Sequence, residues 1–92
     1  MSNSMIEAGA YKQISASANV SAVPATLLRI FVSAASATPT LTVYDSASTG
    51  TGTKIIDTFT PVSATVYTFN ATATAGLYVV IGGTVSCTVI FA

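Results

Sequence analysis

The sequence has no histidine, no tryptophan and one cysteine, and only 7% of its 92 residues are charged, against about 25% in ordinary globular domains. Each shortage excludes a class of function. Without histidine, and with Cys87 alone, no Ser–His or Cys–His nucleophile pair can be assembled. The acids are Glu7, Asp45 and Asp57, so a glycosidase-type carboxylate pair would have to come from these three. Asp57 alternates with Ile55 and Phe59 and reads as an ion-pair partner of Arg29 or Lys54. Arg29, read onto the face of Leu27 and Phe31, is a structural or interface ion-pair partner. A hard cation wants several oxygen ligands, and Asp45 with its Ser/Thr neighbours supplies one carboxylate. The TGTGT run at residues 49–53 has neither a following helix nor a lysine in register to hold a phosphate. The chain reads as non-enzymatic, with no catalytic residue, metal or cofactor.

Charge is balanced as well as scarce: three basic and three acidic residues. That leaves no basic footprint for nucleic acid and no polybasic patch for anionic lipid. The surface must therefore be built from Ser, Thr and Ala. Such a surface has little colloidal protection, and its side chains lose little rotamer entropy when another protein covers them. It suits association. Cys87 cannot form an internal disulfide; lying between Ser86 and Thr88 on the face of Val85, Val89 and Phe91, it reads as a small buried hydrophobe. MSNSMIEAGAYKQ has no cationic region followed by an apolar one, so no secretory signal is read, synthesis in a cytoplasm is expected, and the Asn19 and Asn70 glycosylation patterns are discounted.

What the chain does contain is Val, Ile, Thr, Tyr and Phe, broken at about 8–12-residue intervals by Pro, Gly or Ser/Ala clusters, with no helical period. Strands are expected at residues 11–20, 26–33, 40–45, 54–60, 65–71, 76–82 and 84–91. In TVSCTVIF, Val85, Cys87, Val89 and Phe91 alternate with Ser86 and Thr88; in ATVYTFN, Tyr67 and Phe69 oppose Val66 and Thr68. In TLTVYD, Leu41 and Val43 face the core, with Thr40, Thr42 and Tyr44 outward. LLRIFV and LYVVI are apolar on both faces and belong in central or covered strands. Pro24 and Pro39 stand at strand entries. Residues 44–54, YDSASTGTGTK, read as an exposed loop, with Asp45, Ser46, Thr49, Gly50 and Gly52 as its candidate site residues. Seven short strands predict a single antiparallel β-sandwich, jelly-roll or immunoglobulin-like, over residues 11–92, preceded by an N-terminal arm, residues 1–10, anchored by Met5 and Ile6.

Residues 76–91 carry no charge. Gly82-Gly83 divides them into two halves, each far short of the roughly 20 apolar residues of a membrane helix, and predicts a tight hairpin turn. Its outward residues Tyr78, Val80 and Ile90 would face water in a lone monomer, and an uncharged edge strand tends to pair. These three, with Tyr11, Arg29 and the arm, are the candidate oligomer or partner interface, and a symmetric homo-oligomer is expected. Among the tyrosines (Tyr11, Tyr44, Tyr67, Tyr78), Tyr44 beside Asp45 is the best candidate for a sugar contact, although a tyrosine packed on a sheet face explains it better.

The runs RIFVSAASATPTLTVYDSAS, TFTPVSATVYTF and AGLYVVIGGTVSCTVIF, spanning about residues 26–92, resemble small β-structured virion proteins of tailed bacteriophages. The carriers are the LTVYDS strand and loop, the TFTPV step and the closing GLYVVIGGT segment; no catalytic residue is among them. The resemblance implies a capsid decoration or cement protein on the virion surface, a homotrimer on a threefold or pseudo-threefold axis, with the major capsid protein as partner and residues 1–10 reaching a neighbouring subunit. Some similar proteins belong instead to the neck, tail or fibres, and a receptor- or glycan-binding module is the further alternative.

Overall fold

Two strands far longer than the sequence pattern suggests organise the molecule. The computed structural model describes residues 9–92; the expected anchors Met5 and Ile6 lie outside the described residues. The elements are β1 (Ala10–Ile14), β2 (Ala18–Ser21), β3 (Ala25–Asp45), β4 (Lys54–Phe59), β5 (Thr65–Ala73) and β6 (Leu77–Phe91). They form one all-antiparallel six-stranded sheet. β3 and β6 pair along most of their length. β5 flanks the first half of β3 and β4 its second half. β1 flanks the end of β6 and β2 its beginning.

Six strands therefore replace the expected seven. The 11–20 segment is two strands, interrupted at Ser15–Ser17, while 26–33 with 40–45 and 76–82 with 84–91 are each one continuous strand. The expected hairpin at Gly82-Gly83 is not there. The pair lies inside β6, opposite the register shift between Ser36 and Thr40 of β3. At this point Gly83 has φ +66° and Ala37 and Thr38 have φ +57° and +59°. The positive φ that glycine permits is used to kink a two-stranded ribbon rather than to reverse the chain. Pro39 sits at the same kink and not at a strand entry, whereas Pro24 does immediately precede β3.

The kink doubles the sheet back on itself. Straight, the 21 residues of β3 would reach roughly 66–70 Å, yet the longest extent of the molecule is 44 Å. Ala73 pairs with Ala25 at one end of β3 and Leu77 pairs with Asp45 at the other, so a link of three residues, Thr74 to Gly76, ties both ends together. The folding-over brings Phe59 of β4 onto Tyr67 and Phe69 of β5, with ring centroids 5.1 and 6.5 Å apart in edge-on geometry.

The core lies on the inner, concave face: Leu27, Ile30, Val32, Leu41, Val43, Ala73, Leu77, Val79, Val85, Cys87 and Val89 are all buried. The alternation of Val85, Cys87 and Val89 thus predicts the core correctly; Phe91 is only partly buried. A bulge between Leu27 and Arg29 separates two residues that simple alternation puts on one face. Leu27 goes to the core, Arg29 with Phe31 to the outer surface. Thr42, expected to face water, is buried and shares a 2.6 Å hydroxyl–hydroxyl hydrogen bond with Thr58.

Candidate functional site

The register of β1, β6, β3 and β5 assembles an outer platform four strands wide. One row runs Tyr11, Ile90, Arg29, Thr68; the next runs Gln13, Thr88, Phe31, Val66. Directly opposed side chains in such rows stand about 5 Å apart, and the outer strands about 14 Å apart. Tyr11 is 75% exposed, Val66 54% and Phe31 38%, while Ile90 and Arg29 are half-buried. The strand pairing thus gathers three sequence-chosen residues, Tyr11, Arg29 and Ile90, into one row. Phe31 and Val66 join them on the platform, and the sequence pattern alone does not mark them as site residues. Their signal was apolar residues at outward positions of strands, which gains meaning only when the register sets them side by side.

Tyr78 and Val80, expected in the same interface, fall in the other half of the sheet and are half-buried. The loop joining β3 to β4 folds over both. A Cβ added to Gly50 would meet Val80 Cγ2 at 2.7 Å and Tyr78 Cε1 at 3.2 Å, so this glycine allows the loop to lie flat on the strand. The loop is tied internally: Ser46 Oγ accepts the Thr49 amide at 2.9 Å, and the Thr49 hydroxyl lies 3.2 Å from those of Ser46 and Thr51. Thr49 and Gly52 are exposed and Ser46 is half-buried. Tyr44 at the loop entry is also half-buried.

Asp45 closes β3 and is engaged by the chain itself. Its carboxylate accepts backbone N–H groups of Thr74 (2.9 Å), Ala75 (2.7 Å) and Gly76 (3.3 Å) and the Thr74 hydroxyl (2.9 Å). Led by the Thr74 and Ala75 amides, these bonds hold its pKa down at about 2. The role is structural: it fastens the β5–β6 connection to the end of β3, the tie that keeps the sheet doubled over. Asp57 lies 3.0 Å from Lys54 Nζ, with its side chain 83% exposed, so of the two expected partners it is seen with Lys54, and it does not turn inward. The pair lowers the Asp57 pKa and raises that of Lys54, in both cases mainly through their side-chain hydrogen bond. Cys87 is buried, and desolvation pushes its thiol up to about 11.

Among the described residues no cluster of three His, Cys, Asp or Glu is placed to hold a metal, and no helix is long and apolar enough to cross a membrane. The platform exposes Tyr11, Phe31 and Val66 and carries Arg29 among its described residues. No protein-family model, curated protein or solved structure matches the chain.

Proposed function

We propose that the protein is a non-enzymatic virion structural subunit, a decoration or cement protein that binds the outer surface of a phage head as a symmetric homo-oligomer and stabilises it. The observation that carries the reading is the outer platform. Tyr11, Ile90, Phe31 and Val66 offer an apolar strip within a frame of Gln13, Thr68 and Thr88, and Arg29 is the one charge there among the described residues. Arginine and exposed aromatics are residues enriched in protein interfaces, and a sheet face with short polar neighbours can be covered at low entropic cost. The partner surface it fits is apolar with short polar neighbours. The resemblance over residues 26–92 supplies the identity of that surface, the major capsid protein. Three copies around a threefold axis, each extending residues 1–10 to a neighbouring subunit, is the arrangement proposed on the particle. The finer architecture belongs to the same proposal: the two halves of the doubled sheet are read as the layers of an antiparallel β-sandwich.

Immunogold electron microscopy of purified particles of the encoding phage, with an antibody to this chain, tests the reading. Label spread regularly over the head is the expected result. Label confined to the neck, tail or fibres overturns decoration in favour of a tail-structural or receptor-binding subunit. Absence of the chain from intact and disrupted particles alike overturns any virion role.

A further inference from the structure

The sheet has four edge strands among the described residues, and three of them carry a recognisable guard. β2 is four residues long and its pairing is broken by a register shift. β4 carries Lys54 and Asp57. β1 carries Lys12, whose ammonium reaches across to the Asn19 carbonyl at 2.9 Å. Short length, charge and a lysine are the devices by which edges avoid adding a further strand. β5, TVYTFNATA, has none of them: nine residues, no charge, no proline. Among the described residues it pairs on one side only, with β3.

We infer that the outer edge of β5 binds a second copy of this chain, β5 against β5 in antiparallel register about a two-fold axis near Tyr67. Self-pairing about a two-fold sets residues near the axis beside their own copies, so a charge there would meet a like charge; this strand alone among the four edges combines useful length with zero charge. The extent of pairing follows from the backbone. Asn70 has φ +56°, and the register with β3 shifts beside it, so the strand is regular from Thr65 to Phe69 and turns away beyond. Five residues centred on Tyr67 are self-complementary. Val66 then stands opposite Thr68 of the partner subunit on the outer face, so the Phe31–Val66 row of one copy runs into the Thr68–Arg29 row of the other, with the two Val66 side chains diagonal across the axis. The contact joins two four-stranded half-sheets into one of eight strands and makes the free chain a dimer; on a larger assembly it links neighbouring copies. The inference does not rest on the virion reading.

Sedimentation velocity of the full chain between 1 and 200 μM (chosen, on the order of interface affinities, to bracket a weak homodimer), combined with hydrogen exchange of the β5 amides, tests it. A concentration-dependent dimer is expected, with alternate amides of residues 65–69 protected only in the dimer. Val66→Lys introduces at an exposed site the guard that β5 lacks and is expected to weaken dimerisation at least about tenfold, with the monomer's melting curve unchanged. Tyr11→Lys, on the same face but at the opposite side of the sheet, is expected to leave the dimer intact. A monomer over the whole range overturns the inference, and so does a dimer lost in Tyr11→Lys but kept in Val66→Lys, which marks stacking of platforms instead of edge pairing. Protection of residues 65–69 that is independent of concentration and vanishes when residues 1–8 are deleted also overturns it, since the chain's own N-terminal segment then fills the edge.

Discussion

Gly83→Ala is the substitution that tests the kink on which the architecture depends. At φ +66° a residue with a Cβ costs about 1–2 kcal/mol relative to the right-handed or extended regions. The new methyl would also stand 2.7 Å from the Thr38 carbonyl oxygen and 2.9 Å from its carbon, and closer still to the Ala37 carbonyl oxygen. These are backbone atoms of residues already held at positive φ, so they have little room to retreat, and overpacking of this kind costs about 1–3 kcal/mol. Alanine restricts the unfolded chain and returns about 0.4–1 kcal/mol. The balance is a loss of about 1.5–4 kcal/mol, a large part of the roughly 5–14 kcal/mol expected for a domain of this size. Urea unfolding followed by far-UV circular dichroism reads it directly. With a slope of about 1.5 kcal/mol/M, the midpoint falls by about 1–2.5 M. Gly52→Ala is the control, because Gly52 has φ +106° with nothing within 4 Å of an added Cβ; it carries a backbone penalty without the clash. A Gly83→Ala loss below about 0.5 kcal/mol, or one no greater than that of Gly52→Ala, refutes the close packing of the two strands at the kink.

Across the kink the opposite change should help. Thr38 is β-branched at φ +59°, an outlier conformation for such a residue, and Thr38→Gly is expected to raise stability by about 0.5–1 kcal/mol in the same urea assay. Asp45 has a folded pKa near 2, below its unfolded value, so its stabilisation is complete above about pH 4 and disappears as the pH falls toward 2. The melting temperature should therefore drop over that window, and Asp45→Asn should lower it at pH 7 and flatten the acid limb; an unchanged limb in the variant removes the assignment. The Cys87 thiol, buried and shifted up to about 11, should be inert to a disulfide reagent at pH 8 and react at once in denaturant. Cys87→Ser, which buries a hydroxyl, should cost about 1–3 kcal/mol.

Much of the strand content was legible because alternation is a local property. Val85, Cys87 and Val89 in the core, the 46–53 loop and the Asp57–Lys54 pair all follow from neighbours in sequence. The strand count was not legible, for one reason at three places. Gly82-Gly83, Ser33–Pro39 and Ser15–Ser17 each carry turn chemistry, and a local reading cannot tell a reversal from a kink or a strand break. At Gly83 and Ala37–Thr38 the same positive φ serves a kink in two strands that pass through it side by side, and only their mutual register identifies it. The bulge that sends Leu27 inward and Arg29 outward is invisible for the same reason. So is the cover over Tyr78 and Val80: Gly50 is selected by atoms that lie about 30 residues further along the chain.

The distribution of charge follows from these placements. Lys12, Lys54 and Asp57 stand on edge strands and Asp45 holds the β5–β6 connection, which leaves Arg29 as the single charge on the platform among the described residues. The low charge of the sequence is therefore not a uniform dilution. Where the fold must resist adding a strand or must fasten a turn, an ionised group is present; over the platform and the β5 edge it is withheld. A surface selected only for solubility would concentrate charge on the broadest exposed face. This one does the reverse, and the two sparsely charged regions meet at Val66, which stands on the platform and on the unguarded strand at once. A lysine there should impair both contacts, whereas one at position 11 impairs the platform alone, so the pair of variants separates adhesion to a partner surface from pairing with a second copy.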